Sequence, residues 1–118
     1  MFTLGADESS ADDAVVCRGG SCTAPAFQQG SGVSLDAAGN LRNVSVNASE
    51  TRTLRELAKS MPHRAIGETT VGAVRRAGGD VVLDARGPNN PDHCLLHGIT
   101  PAQAECLFAP TVPNPNRP

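Results

Sequence analysis

Leu41-Arg-Asn-Val-Ser-Val-Asn47 is the stretch on which the fold turns. Side chains alternate across an extended strand, so Val44 and Val46 face one way and Ser45 and Asn47 the other. Asp36-Ala-Ala-Gly-Asn40 ahead of it is a turn of hairpin type, and Gly32-Val-Ser-Leu-Asp36 alternates on the far side of that turn. Further out, Ala14-Val-Val-Cys17 is a short β-branched run stopped by Gly19 and Gly20, which predicts another strand. Residues 25–32 between these read as loop. Asp80-Val-Val-Leu-Asp84 and His93-Cys-Leu-Leu-His97 add two more strands, with a loop over 86–91 between them.

Three helices are expected among these strands. Leu54, Leu57 and Ala58 recur at helical spacing, which predicts a helix over 53–61 with Ser49 or Thr51 as its cap and Pro62 as its stop. A second starts near Thr69 or Thr70, carries Val71 and Val74, and ends at Gly78-Gly79. Pro101 opens the third behind Thr100, with Ala104, Leu107 and Phe108 on its apolar side. The order is strands, helix, helix, strand, strand, helix, with no internal repeat and no regular βαβ alternation. The expected class is α+β: a small antiparallel sheet with about three helices packed on it.

The chain has 118 residues, enough for one domain. Residues 1–13 are polar and acidic and are expected to form a flexible N-terminal segment. Residues 113–118 form a Pro-rich tail that can be neither helix nor inner strand, which leaves 14–112 as the domain. With three Phe, no Trp and no Tyr, the core falls to Val, Leu, Ile and Ala. The formal charge of −2 argues against binding nucleic acid through a bulk cationic field, though not against an RNA-cutting enzyme with a local basic cleft. Arg64, Arg75 and Arg76 do fall together in mid-chain.

No apolar run approaches the roughly 20 residues of a membrane span, and the N-terminus lacks the cationic and apolar regions of a signal peptide. The chain is therefore expected to stay in the cytosol, to leave by a route without a cleaved signal, or to be a piece of a longer exported chain.

The four cysteines are Cys17, Cys22, Cys94 and Cys106. Zinc ligation with His93 or His97 fits their spacing poorly. Disulfides fit better, with Cys17–Cys22 closing a tight loop, although sequence does not set connectivity. Buried reduced thiols are the plain alternative.

Two of the three histidines sit in Asn90-Pro-Asp-His-Cys-Leu-Leu-His-Gly-Ile-Thr-Pro101. At i and i+4 of a strand their rings share a face but lie about 13 Å apart, too far to serve one substrate atom. His93, at the strand start, is the better candidate. His63, at the Pro62 break, is its candidate partner. One group that removes a 2′-hydroxyl proton and another that protonates the leaving 5′-oxygen suffice to cut RNA without a metal. Arg64 and Arg75 are candidates for the phosphate, and Thr69 and Thr70 for polar support at a helix start. Each has a plain reading beside it: an exposed histidine is usually just surface, and a threonine before a helix is usually a cap. Cys94 beside His93 is a weak nucleophile candidate, since strand neighbours point to opposite faces. Asp80 and Asp84 read as the solvated ends of a strand. Serine-hydrolase, P-loop, zinc-protease and zinc-deaminase signatures are absent.

Longer phrases carry a resemblance. Val15-Val-Cys-Arg-Gly-Gly-Ser-Cys-Thr23, Gly30-Ser-Gly-Val33, Asp36-Ala-Ala-Gly-Asn-Leu41, Val44-Ser-Val-Asn47, Thr69-Thr-Val-Gly-Ala-Val-Arg-Arg-Ala-Gly-Gly-Asp-Val-Val82, Asn90-Pro-Asp-His-Cys94, Gly98-Ile-Thr-Pro101 and Pro110-Thr-Val-Pro-Asn-Pro115 resemble the C-terminal toxin tips of bacterial polymorphic toxins. Such tips end rearrangement-hotspot and filamentous contact-dependent toxins. The likeness runs from about Val15 to the end of the chain. It implies an effector secreted or injected into a neighbouring bacterium, acting in that cell's cytoplasm and neutralised at home by a cognate immunity protein. It further implies a small metal-independent ribonuclease of the barnase–EndoU–colicin–RelE-like group, with no cofactor and with transfer RNA as the expected substrate. Carried to this chain, His93 is the acid or base, His63 the second proton carrier, Arg75 or Arg64 the phosphate ligand, and Thr70 a polar support. Two rivals stay open. One is a toxin that consumes NAD or ADP-ribosylates a target, although the chain lacks a clear Arg…Ser…Glu series. The other is a non-enzymatic partner-binding module, which the acidic net charge favours.

Overall fold

The computed structural model describes residues 2–3 and 12–117. Most of the expected acidic segment lies outside the described residues. The elements are β1 (Phe2–Thr3), β2 (Val15–Gly19), α1 (Ala24–Gln28), β3 (Ser34–Leu35), β4 (Leu41–Arg42), β5 (Val44–Ser49), α2 (Leu54–Leu57), β6 (Ala65–Thr70), α3 (Val71–Arg76), β7 (Asp80–Leu83), β8 (His93–His97), α4 (Pro101–Phe108) and β9 (Val112–Pro113). Seven strands form one sheet in the order β1-β7-β8-β5-β2-β6-β9, every neighbouring pair antiparallel. β3 and β4 make a separate hairpin. The α+β class holds, with helices packed on an antiparallel sheet.

The decisive stretch is two strands rather than one. Asn43 has φ of 65°, a left-handed conformation that asparagine tolerates better than most side chains. The chain turns there, so Leu41 pairs with Leu35 in the hairpin while β5 enters the main sheet. The Asn43 N–H donates to Nδ1 of His97 at 3.0 Å, fastening the turn to β8. As expected, Val44 and Val46 are buried and Ser45 is exposed. Asn47 departs from the pattern and is buried, because α2 covers it.

β6 has no counterpart in the sequence reading, since Gly67 and Glu68 interrupt its β-branched character. It pairs with β2 along its length, from Val15 opposite Thr70 to Gly19 opposite Ile66. Gly67 is needed there for lack of room: a Cβ would come within 2.5 Å of Cys22 Sγ and 3.0 Å of the Phe108 backbone oxygen. α1 also falls in a stretch read as loop. Thr23 caps it, Pro25 sits in its first turn, and it buries Phe27. α2 is capped by Thr53, through a capping box with Glu56, rather than by Ser49 or Thr51. It passes into a 3-10 turn over Ala58–Ser60.

The main core lies on the face of the sheet that carries Val16, Val44, Val46, Val81, Cys94 and Leu96, covered by α1, α3 and α4. Phe27 and Phe108 meet there with ring centroids 5.4 Å apart, and the Arg18 guanidinium lies over Phe27 at 4.7 Å. On the opposite face a smaller cluster of Cys17, Leu57, Ala58 and Ile66 is covered by α2 and the 3-10 turn. That cover is partial, and the uncovered part of this face holds the site described below.

All four cysteines are free, the reduced state that stood beside a Cys17–Cys22 disulfide in the sequence reading. The sheet separates the two, Cys22 packing in the main core and Cys17 in the smaller cluster. Burial, then the nearby Glu68 carboxylate, pushes the Cys17 thiol up to about 12. Burial, then Asp92, pushes that of Cys94 up to about 11. Neither thiol is a nucleophile at neutral pH.

His97 is explained by packing. Burial, then the Arg42 guanidinium, lowers its pKa below the ordinary 6.5, with Asp80 opposing. Protonation would also put a hydrogen on the Nδ1 that accepts from Asn43. The unfolded chain therefore binds this proton at a higher pH than the folded one. The stability tied to neutral His97 is present above about pH 6.5 and lost as pH falls through the folded value. We expect the urea midpoint to drop less in His97→Asn than in the wild type between about pH 7 and about pH 5. Equal drops would mean that His97 contributes nothing to acid sensitivity.

Candidate functional site

The uncovered face is built by strand register. Along one row of the sheet His93 on β8 stands opposite Asn47 on β5, which stands opposite Cys17 on β2. In the next row Leu95 stands opposite Ser45. Since α2 and the 3-10 turn cover only the β2–β6 end, a cavity of about 240 Å³ is left over the middle of the face. His93, Ser45, Asn47 and Gly19 line it from the strands. Ser60, Met61, Pro62 and His63 line it from the segment after α2, and Asn90 from the β7–β8 loop.

The structure thus brings His93 and His63 to one cavity. The β7–β8 hairpin fixes His93. Its carbonyl accepts from the Asp84 N–H at 2.8 Å, and its Nδ1 lies 2.9 Å from the Asp84 carbonyl oxygen and 3.4 Å from the Asp84 carboxylate. A carbonyl can only accept, so the hydrogen of the neutral ring is on Nδ1 and Nε2 keeps a free lone pair. The Asp84 backbone carbonyl thus gives the ring the orientation that a carboxylate gives to other histidine bases. The Asp84 carboxylate oxygen beside the ring also accepts from Arg86 Nε at 2.9 Å, which holds the Asp84 side chain in place. With the residue only 7% exposed, the imidazole has little freedom to leave this arrangement.

His63 is exposed and held differently. Its ring lies against the end of β2, where Gly19 and Gly20 leave space: a Cβ on Gly19 would overlap Nδ1 and one on Gly20 would come within 3.1 Å of Cδ2. The segment that carries it is tied down by Asn114, which is 1% exposed. The Asn114 side-chain amide donates to the carbonyls of His63 at 2.9 Å and Met61 at 3.3 Å, and its backbone N–H donates to Arg64 at 2.8 Å. The Pro-rich tail therefore supplies a positioning residue to the site. β9 lies at the sheet edge, where a missing proline donor costs no ladder bond.

The other candidates lie elsewhere. Arg64 lines a neighbouring cavity of about 640 Å³ that shares His63 with the first. Thr70 accepts from the Ala73 N–H at 3.1 Å as the cap of α3. Arg75 is held between Asp12 at 3.0 Å and Asp80 at 3.3 Å. Thr69 pairs with Val16 within the sheet. None of these last three lines the cavity that holds both histidines. Ser45, Asn47, Ser60 and Asn90 were not singled out from sequence, and Asp84, read there as a solvated strand end, is half-buried beside His93. Asp84 gave a signal, as a carboxylate at the end of the strand preceding His93, but only the hairpin register turns it toward the imidazole.

Among the described residues no group of three or more His, Cys, Asp or Glu side chains is arranged to hold a metal ion, and no helix is long and apolar enough to cross a membrane. Comparison with protein-family models, with curated proteins and with solved structures returns no match.

Proposed function

We propose that this domain is an antibacterial effector that cuts RNA by metal-independent acid–base chemistry, with transfer RNA as substrate. The observation that carries this reading is the meeting of His93 and His63 in one cavity, His93 with its Nδ1 occupied by Asp84. In the proposed reaction Nε2 of His93 removes the proton from a 2′-hydroxyl. The 2′-oxygen then forms a bond to phosphorus, the bond from phosphorus to the 5′-oxygen breaks, and His63 gives that oxygen a proton. The products are a 2′,3′-cyclic phosphate and a 5′-hydroxyl, so no water or co-reactant is consumed in this step. Ser45, Ser60 and Asn90 around the cavity are hydrogen-bonding groups suited to the charged phosphorane, while the Asn47 amide donates to the Leu57 carbonyl and to the Ser60 hydroxyl. Delivery into a neighbouring bacterium, action in its cytoplasm and neutralisation by an immunity protein belong to the proposal through the toxin-tip resemblance.

The test is direct. Purified protein incubated with total RNA in EDTA is expected to yield fragments with 2′,3′-cyclic phosphate ends. Intact RNA from a preparation that still arrests bacterial growth would overturn the reading, and loss of cellular NAD in its place would favour the NAD-consuming rival.

A further inference from the structure

We propose that the histidine cavity is the middle of a three-part trough that holds an extended single strand of RNA, with a nucleobase on one side of the scissile phosphate and a further phosphate on the other. The proposal rests on the ribonuclease reading. Its basis is that the cavity shares walls with both neighbours. His63 also lines the cavity of about 640 Å³. Asn47, Ser60 and Asn90 also line a third cavity, of about 420 Å³, toward α2.

The two flanks differ in chemistry. Beyond His63 the lining includes Ala65, Ala109 and Pro110, with hydroxyls from Ser21, Thr23 and Thr111. Arg64 and Glu105 are its charged residues, Glu105 accepting from the Ala24 N–H at 2.7 Å. An apolar cleft with a few hydrogen-bonding groups suits a flat ring with polar edges. Its size falls in the range of pockets that enclose small organic groups. Beyond Asn47 the lining is polar and includes Arg52 and Lys59 beside the carboxylates of Asp92 and Glu56, the latter engaged by the Thr53 N–H at 2.9 Å in the helix cap. Arg52 is paired with Asp92 at 2.8 Å. Lys59 is exposed and has no ion-pair partner among the described residues, which leaves its charge for a phosphate. A base can enter the first flank only when unstacked from its neighbours, so the trough selects single strands and loops over a duplex.

The experiment compares kcat/KM for a dinucleotide with that for an oligoribonucleotide of about six residues, a length within the span of known single-strand sites. The wild type is expected to prefer the longer substrate by at least about tenfold, chiefly through KM. Thr111→Trp, at an exposed position, fills the base cavity and is expected to reduce that preference by about tenfold. Lys59→Ala is expected to reduce it several-fold and to lower the slope of log KM against log salt by about 0.7. Equal efficiency on the two lengths, or a preference that neither variant alters, would overturn the trough while leaving the ribonuclease reading standing. No cleavage of either length would overturn both.

Discussion

His93→Asn is expected to lower the rate of RNA cleavage by about 10²- to 10⁴-fold, the range that a positioned proton carrier contributes. Asparagine is the more telling replacement because its amide nitrogen, like Nδ1, is bonded to Cγ and can still donate to the Asp84 carbonyl that now takes the Nδ1–H. It cannot take a proton at the position of Nε2. His93→Ala should be equally inactive but leaves that carbonyl without its side-chain partner, at a stability cost of about 1–3 kcal/mol. Parallel urea melts separate the two effects. The expected result is an asparagine variant that is inactive with a midpoint near that of the wild type, and an alanine variant that is inactive and somewhat less stable. An asparagine variant within about threefold of wild-type activity would remove His93 from the chemistry.

The same residue shows how far sequence alone can lead. Its place at a strand start, behind a Pro-Asn-Asn-Pro turn, is visible in the chain, as is the separation from His97 along a strand. The partnership with Asp84 is not, because it depends on the register of the β7–β8 hairpin across a loop of nine residues, 84–92. Arg75 and Thr70 lie away from the cavity that holds the two histidines for a related reason. Local sequence gives a residue's type and its neighbours on one element, but the capping bond of Thr70 and the two carboxylates around Arg75 are made where elements meet.

The fold was more legible than the site. Strands with strict alternation, such as β5, and helices with caps, such as α4 behind Thr100, carry their signal in adjacent residues. β6 carries none, because Gly67 is there for lack of space against Cys22 and Phe108 rather than for backbone freedom. The importance of Asn114 was hidden for a similar reason. A proline-rich tail reads as an appendage until one buried amide is seen to hold the segment that carries His63.

The second large effect concerns that segment. Gly19→Ala is expected to reduce cleavage by about 10²-fold, the loss that displacement of a catalytic group by about 1 Å can cause, while changing stability little. Gly19 is not among the glycines with positive φ, so alanine meets no backbone strain there. The nearest atoms an added Cβ would meet belong to the His63 ring, which is exposed and free to rotate away. The methyl group therefore moves the imidazole instead of breaking the sheet. If Gly19 acts by positioning His63, the double variant Gly19→Ala/His63→Ala should be no slower than His63→Ala alone, since a ring that is absent cannot be displaced. Losses that multiply would mean that Gly19 acts independently, for example by letting substrate approach the β2 backbone. A Gly19→Ala enzyme of normal activity would mean that the placement of His63 against β2 is irrelevant to the reaction, and His63 would lose its claim to the acid role. The comparison needs only relative rates on one substrate, and it separates a proton donor held in place from a surface histidine that happens to lie beside the cavity.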